Sequence, residues 1–282
     1  MQNGNTHRIN SRLCPSCRKL VSIDEAKCPH CGLAKPGSRW KHSVLTRGFS
    51  SGERLLHTLI LVNVIMYLCS LFMSGRGLHL SANPMTFLSP NNQGLILLGA
   101  TGTIPIDHLN RWWTLVSASY LHGGILHIGF NMLALRQIGP LVINEYGAHR
   151  MTVIYTLSGV GGFLISYLAR VSLTIGASAA LCGLIGATLY YGKRRGGVYG
   201  QALFRQVGGW AIGIALFGLV VPGINNWAHG GGMAAGILLG LLMGFNEQRR
   251  ETWLHRLLSG MCLWGTGLIL LWAVAVAVLV RI

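Results

Sequence analysis

The chain has 282 residues, of which 51% are hydrophobic and only 11% charged. A soluble domain carries about a quarter charged residues, so an ordinary water-facing surface is excluded and a membrane is indicated. The formal net charge of +16 does not point to nucleic acid, because Lys and Arg sit in loops between apolar runs, and no nucleic-acid partner is expected.

Residues 1–54 are polar and basic and lack the apolar run of a signal peptide, which places the amino terminus in the cytosol. Within them, Cys14-Pro-Ser-Cys17 and Cys28-Pro-His-Cys31 form two CxxC knuckles. Four thiolates at this spacing suit one tetrahedral Zn²⁺, and a closed shell of four cysteines leaves no open position for chemistry, so the metal is expected to be structural. So short a segment cannot bury enough apolar surface to fold alone, and zinc would supply the folding energy. Two disulfides or a redox pair are the competing readings, disfavoured on a side of the membrane where thiols stay reduced. The reading is a zinc ribbon over 1–36 and a basic linker over 37–54, the latter lying near anionic headgroups.

From Leu55 onward, apolar stretches approach the roughly 20 residues that a helix needs to cross a bilayer. Seven spans are predicted: Leu55–Met73, Thr114–Arg136, Met151–Ala169, Ile175–Tyr191, Val207–Val221, Trp227–Phe245 and Gly260–Val280. With the amino terminus inside, the segments left in the cytosol hold 19 Lys and Arg and those outside hold 4, as the positive-inside rule expects. The carboxy terminus then lies outside.

All seven Asp and Glu fall away from the middle of a span. That removes an aspartyl protease, which needs two membrane carboxylates, and the absence of HExxH removes a zincin. The spans instead hold a few His, Asn and Ser, and intramembrane polar groups are functional suspects once a partner can be named. Ser178, read as one turn into the fourth span, and His229, just inside the sixth, come to similar depth near the outer face. Gly232, Gly236, Gly240 and Gly244 on the sixth span face Ala179, Gly183 and Ala187 on the fourth, a small-xxx-small pattern that lets backbones touch. A serine hydroxyl needs a base about 3 Å away to become a nucleophile; with no carboxylate at hand the unit is a dyad. Singly, each residue has a plainer reading, since a membrane Ser usually bonds its own i−4 carbonyl and glycine ridges are mostly packing.

The second span adds His122, His127 and Asn131. The last two, four apart, share a helical face and can donate to a developing oxyanion. His122 is read some 140° further round the same helix. A metal site made of these histidines lacks a third ligand. Cys69, Cys182 and Cys262 read as small apolar filler.

Across roughly residues 55–245 these features resemble the rhomboid intramembrane proteases. Gly176-Ala177-Ser178 looks like the family's Gly-x-Ser, Ala228-His229 through Gly236 like its Ala-His with following glycines, and His122, His127 and Asn131 like its HxxxxHxxxN. The resemblance implies that Ser178 attacks, that His229 is base and then acid, and that His127, Asn131 and the Ser178 N–H form the oxyanion hole, with His122 and Gly176 in support. It also likens Asn110-Arg111-Trp112-Trp113 to the membrane-embedded first loop, and Glu145, Gly147 and Arg150 to a polar cluster after span two. Two departures stand out: Ala179 where the family usually has Gly, and Trp113-Thr114 where a Trp-Arg pair is usual. The expected fold is all-α: a six-helix rhomboid core over 55–245, then a cytosolic loop and seventh span over 246–282, behind a cytosolic four-cysteine zinc ribbon. The expected activity is cleavage of transmembrane proteins in the lipid bilayer near the outer face, in a bacterial cytoplasmic (inner) membrane, with no cofactor for catalysis; a cytosolic partner of the ribbon is a further candidate. The alternative is a non-catalytic rhomboid-like protein that binds membrane clients, and a transporter is a third reading, without the inverted repeats it would show.

Overall fold

The computed structural model describes residues 11–14, 19–30, 32–36, 51–75 and 87–281, in two units, Met1–Arg54 and Leu55–Ile282. In the first unit, β1 (Ser11–Leu13) pairs antiparallel with β2 (Leu20–Ser22). Cys14 follows β1 directly, and its N–H donates to the Lys19 carbonyl at 2.8 Å; Cys28 repeats the device, donating to the Leu33 carbonyl at 2.8 Å. Both thiols are buried with Val21 in one small cluster. Two turns of the same closure thus bring the leading cysteine of each knuckle inward. Cys17 and Cys31, and the linker up to residue 50, lie outside the described residues.

The second unit is helical. Its long helices are α1 (Ser51–Ser74, which begins in the first unit), α4 (Ile125–Tyr146), α5 (Ala148–Leu168), α6 (Ser178–Arg195), α7 (Gly197–Val220), α8 (Asn226–Met243) and α9 (Trp253–Arg281), with the short α2 (Asn92–Leu97) and α3 (Thr114–Ser117) in the loop after α1. Among the described residues, five of them are long and apolar enough to cross a membrane: α1, α4, α5, α7 and α9. α6 ends in Lys193, Arg194 and Arg195, and α8 opens with Asn226 and His229 and carries five glycines. Polarity is inverted relative to a soluble protein. Phe72, Phe130, Val220 and Trp264 stand on the outside, the last with 77% of its surface open, while Asn63, Ser158, Ser166 and Thr188 are buried. So much contiguous exposed apolar surface requires lipid. This is a multi-pass membrane protein.

The second predicted span needs correction. Thr114–Arg136 is not one helix: α3 gives way to a 3-10 turn at Ala118–Tyr120, Leu121 is extended, and α4 starts only at Ile125. Gly123 and Gly124 adjoin in this stretch, and glycine weakens a helix by about 1 kcal/mol relative to alanine. His122 therefore precedes the helix, and its expected angular offset from His127 does not apply. The fourth span also starts later than expected, with Ser178 as its first helical residue. α5 and α7–α9 match their expected places with shifted ends, and α7 extends ten residues further toward the amino terminus than the apolar run suggested.

On one end of the bundle, Gly147 joins α4 to α5 at φ +92°, a conformation natural to glycine. The Glu251 carboxylate, from the segment before α9, accepts from the N–H groups of His149 and Arg150 at 2.9 and 3.1 Å, a charged cap for the start of α5. The buried Arg150 guanidinium donates to the carbonyls of Tyr146 and Arg249 and to Asn246 Oδ1. The segment leading to α9 is thereby tied to the α4–α5 turn.

Candidate active site

Ser178 begins α6 because the segment before it is held extended. Thr101 and Thr174 exchange both backbone hydrogen bonds, at 3.1 and 2.7 Å, and Gly176 N–H donates to the Ala118 carbonyl at 2.9 Å. The chain then turns at Gly176 with φ +127°. A Cβ there would lie 2.8 Å from His127 Nε2 and 3.5 Å from Ser178 Oγ, so glycine is needed both for the dihedral and for the space. As the first helical residue, Ser178 has an N–H with no acceptor inside the helix.

His229 rides on α8, which packs on α6 through glycine. A Cβ at Gly232 would collide with the Ala179 carbonyl, one at Gly236 with the Gly183 carbonyl, and one at Gly186 with the Met233 carbonyl. Backbone lies on backbone along this face, and the outcome at the end where α6 and α8 both begin is a 2.9 Å hydrogen bond between Ser178 Oγ and His229 Nε2. The other ring nitrogen, Nδ1, is buried without a hydrogen-bond partner among the described residues.

His127, on the first turn of α4, closes the third side. Its Nδ1 accepts from Gly123 N–H at 3.3 Å. A nitrogen that accepts carries a lone pair, so in the neutral ring the proton resides on Nε2, the nitrogen that faces the Gly176–Ser178 turn. Asn131 is buried one turn on, and its amide donates to the His127 carbonyl at 2.9 Å. His122 is fully buried, edge to face with the His127 ring at 5.1 Å between centroids. The structure thus gathers Ser178, His229, His127 and Gly176; His122 packs on the His127 ring, and Asn131 bonds the His127 backbone carbonyl.

The first loop is anchored in spite of its unusual Trp113-Thr114. Arg111 donates to the Ile96 carbonyl at 3.1 Å, Thr114 Oγ1 to Thr101 Oγ1 at 3.0 Å, and Ser117 Oγ to the Gly99 carbonyl at 2.8 Å. Asp107, in a π-helical turn at Ile104–His108, accepts from Tyr167 and Arg170 at the far end of α5. These partners were not legible as a site, because each bond joins loop residues distant in sequence.

Residues 109–245 match the Rhomboid domain. Over that stretch, just under half of its length, the chain is similar to the rhomboid family. It is similar to RHOMBOID-like protein 4 of Arabidopsis thaliana, 35% identical over 163 residues, which make up 57% of this chain and 41% of that protein. RHOMBOID-like protein 1 of the same plant is 35% identical over 170 residues, 59% of this chain and 43% of that protein. Rhomboid protease GluP of Bacillus subtilis is 32% identical over 160 residues, 55% of this chain and 31% of that protein. The chain thus spans less than half the length of these three relatives. The rhomboid match runs from within the first loop to the end of α8, so it takes in Ser178, His229, His127 and Asn131 and leaves out α1, Thr101, α9 and the amino-terminal unit.

Proposed function

We propose that this chain is an intramembrane serine endopeptidase that cuts membrane-anchored proteins near the outer face. The observation that carries the reading is the 2.9 Å bond between Ser178 Oγ and His229 Nε2 inside an apolar helix bundle. Ser178 Oγ attacks the scissile carbonyl carbon while its proton passes to His229 Nε2, and the carbonyl oxygen becomes an oxyanion. The His127 Nε2–H and the Ser178 N–H donate to that oxygen, with the second Asn131 amide hydrogen available beside them. His229 then protonates the leaving amine, the C–N bond breaks, and a water deprotonated by the same imidazole hydrolyses the acyl-enzyme and frees the serine. No cofactor is called for. Sideways access for substrate is supported by α7: its buried residues, Gly200, Leu203 and Val207, all lie in its first half, so its second half lies open to lipid. A substrate helix must unwind to be cut, because an intact one keeps its carbonyls in its own hydrogen bonds.

The test is a single-span protein fused to a soluble reporter, reconstituted with the enzyme in vesicles. Wild type should release the reporter and Ser178→Ala should not. Equal release from both would remove Ser178 as the nucleophile, and no release from either, with the reporter protein still bound, would replace proteolysis by client binding.

The charge asymmetry supports an amino terminus in the cytosol and a carboxy terminus outside. For the amino-terminal unit the reading is a zinc ribbon. The buried Cys14 and Cys28, on turns of the same closure, suit two of four thiolate ligands, with Cys17 and Cys31 at the matching CxxC positions. Zinc there would fix the fold of the unit. Elemental analysis should find about one zinc per chain, lost in Cys14→Ser/Cys28→Ser, while Ser178 still reacts with a fluorophosphonate; zinc retained by that variant would remove the ribbon.

A further inference from the structure

Glycine faces set how closely α6 and α8 approach, but smooth backbones offer little resistance to one helix sliding along the other. The dyad needs that axial register fixed as well. The geometry points to Asn225 as the residue that fixes it, a positioning residue for the Ser178–His229 pair; the inference rests on the dyad reading above.

Asn225 is the N-cap of α8. Its Oδ1 accepts from Ala228 N–H at 3.1 Å, and its backbone carbonyl accepts from His229 N–H at 3.2 Å. The other end of the same amide points away from the helix. Nδ2 donates to Ser166 Oγ at 2.6 Å and to Thr174 Oγ1 at 3.0 Å. Ser166 is fully buried near the end of α5, and Thr174 is buried in the extended segment four residues before Ser178. One primary amide has two donor hydrogens and an oxygen, and all three are engaged. A single side chain therefore joins the helix that carries the base, the segment that delivers the nucleophile and the end of α5. The link sits at the end of α8 where the dyad lies, which is where a slip would be felt most. Capping alone would ask only for an oxygen. Ser, Thr or Asp would serve that purpose, and none of the three supplies the two N–H donors that reach Ser166 and Thr174.

The distinction is measurable with a fluorophosphonate, whose inactivation rate constant reports the nucleophilicity of Ser178 without a substrate. Asn225→Ala should lower that constant by roughly 10- to 100-fold, the scale expected when reacting groups are misplaced by about 1 Å, with the probe's half-saturating concentration changed less than about twofold. Asn225→Asp keeps the cap but has no N–H to give Ser166 and Thr174, so it should hold the Tm closer to wild type than Asn225→Ala does and still label slowly. Thr174→Val removes one acceptor without touching α8; it should slow labelling, and Thr174→Ser should recover it. A role in stability alone would lower Tm and leave the rate per folded molecule unchanged, and that result overturns the proposal. If Asn225→Ala does not fold, Thr174→Val decides: a wild-type rate overturns the proposal, and a slowed rate rescued by Ser supports it. Ser178→Ala in the same series separates the two readings. Labelling that survives it removes the dyad and the positioning role together, whereas an unlabelled Ser178→Ala beside a normal Asn225→Ala removes the positioning role alone.

Discussion

Ser178→Ala, His229→Ala and the double variant should all lose the same activity, at least ~10³-fold in fluorophosphonate labelling and in reporter release, because the two groups work as one unit. Without the imidazole, the hydroxyl keeps its proton at neutral pH and is a poor nucleophile; without the hydroxyl, the imidazole has nothing to activate. Independent contributions would multiply, so the double variant would be far worse than either single one. Coincidence of the three therefore tests the mechanism more sharply than any single loss. The dyad form of the site adds a second expectation. His229 Nδ1 has no hydrogen-bond partner among the described residues, and every carboxylate in the chain lies away from the middle of the spans. Among the described residues, then, no carboxylate stands ready to act in place of a missing member. Activity within tenfold of wild type in His229→Ala would mean that some other group removes the proton, and the assigned base would be wrong.

Much of this site was legible before any coordinates. Sparse polar residues in apolar spans narrowed the chemistry to Ser, His and Asn, and the four-residue rhythm of small side chains on two spans implied a contact that the structure shows as backbone on backbone. Helix ends were less legible. Hydropathy runs smoothly from Thr114 through Leu121 into the segment after it, so it gives no sign that the chain leaves the helix before Gly123 and resumes at Ile125; His122 was placed on a helix for that reason. Ser178 was placed a turn too deep on the same ground, since Leu173 and Ile175 are apolar but extended, their backbone held by the first loop. The bonds that set the ends of the helices were invisible altogether. Glu251 caps α5 from about 100 residues away, and Asn225 reaches Ser166 and Thr174; composition and spacing do not encode such pairings, because they exist only once the bundle is closed.

Adding a single methyl at Gly232 or Gly236 should force α6 and α8 apart and slow catalysis, though by less than removing a dyad member does. At both positions the new Cβ would meet a backbone carbonyl of α6, that of Ala179 or that of Gly183. Backbone inside a helix cannot yield the way a flexible side chain can, so the two helices must move apart. Overpacking of this kind costs about 1–3 kcal/mol, and a separation of about 1 Å at the dyad lowers the rate roughly 100-fold. Gly232 lies one turn from His229, and its obstacle is the residue next to Ser178, so its effect on labelling should exceed its effect on Tm. Gly236, a turn deeper, should lower Tm comparably and labelling less. Gly230 supplies the control: it is on the same helix, next to the base, yet nothing lies within 4 Å of its Cβ position, and Gly230→Ala should label and melt like wild type. Labelling rate and Tm measured together in detergent decide the matter. Wild-type values for both Gly232→Ala and Gly236→Ala would show that α6 and α8 do not meet along this face, and a hydroxyl and an imidazole held by separate helices would then have nothing to keep them at 2.9 Å.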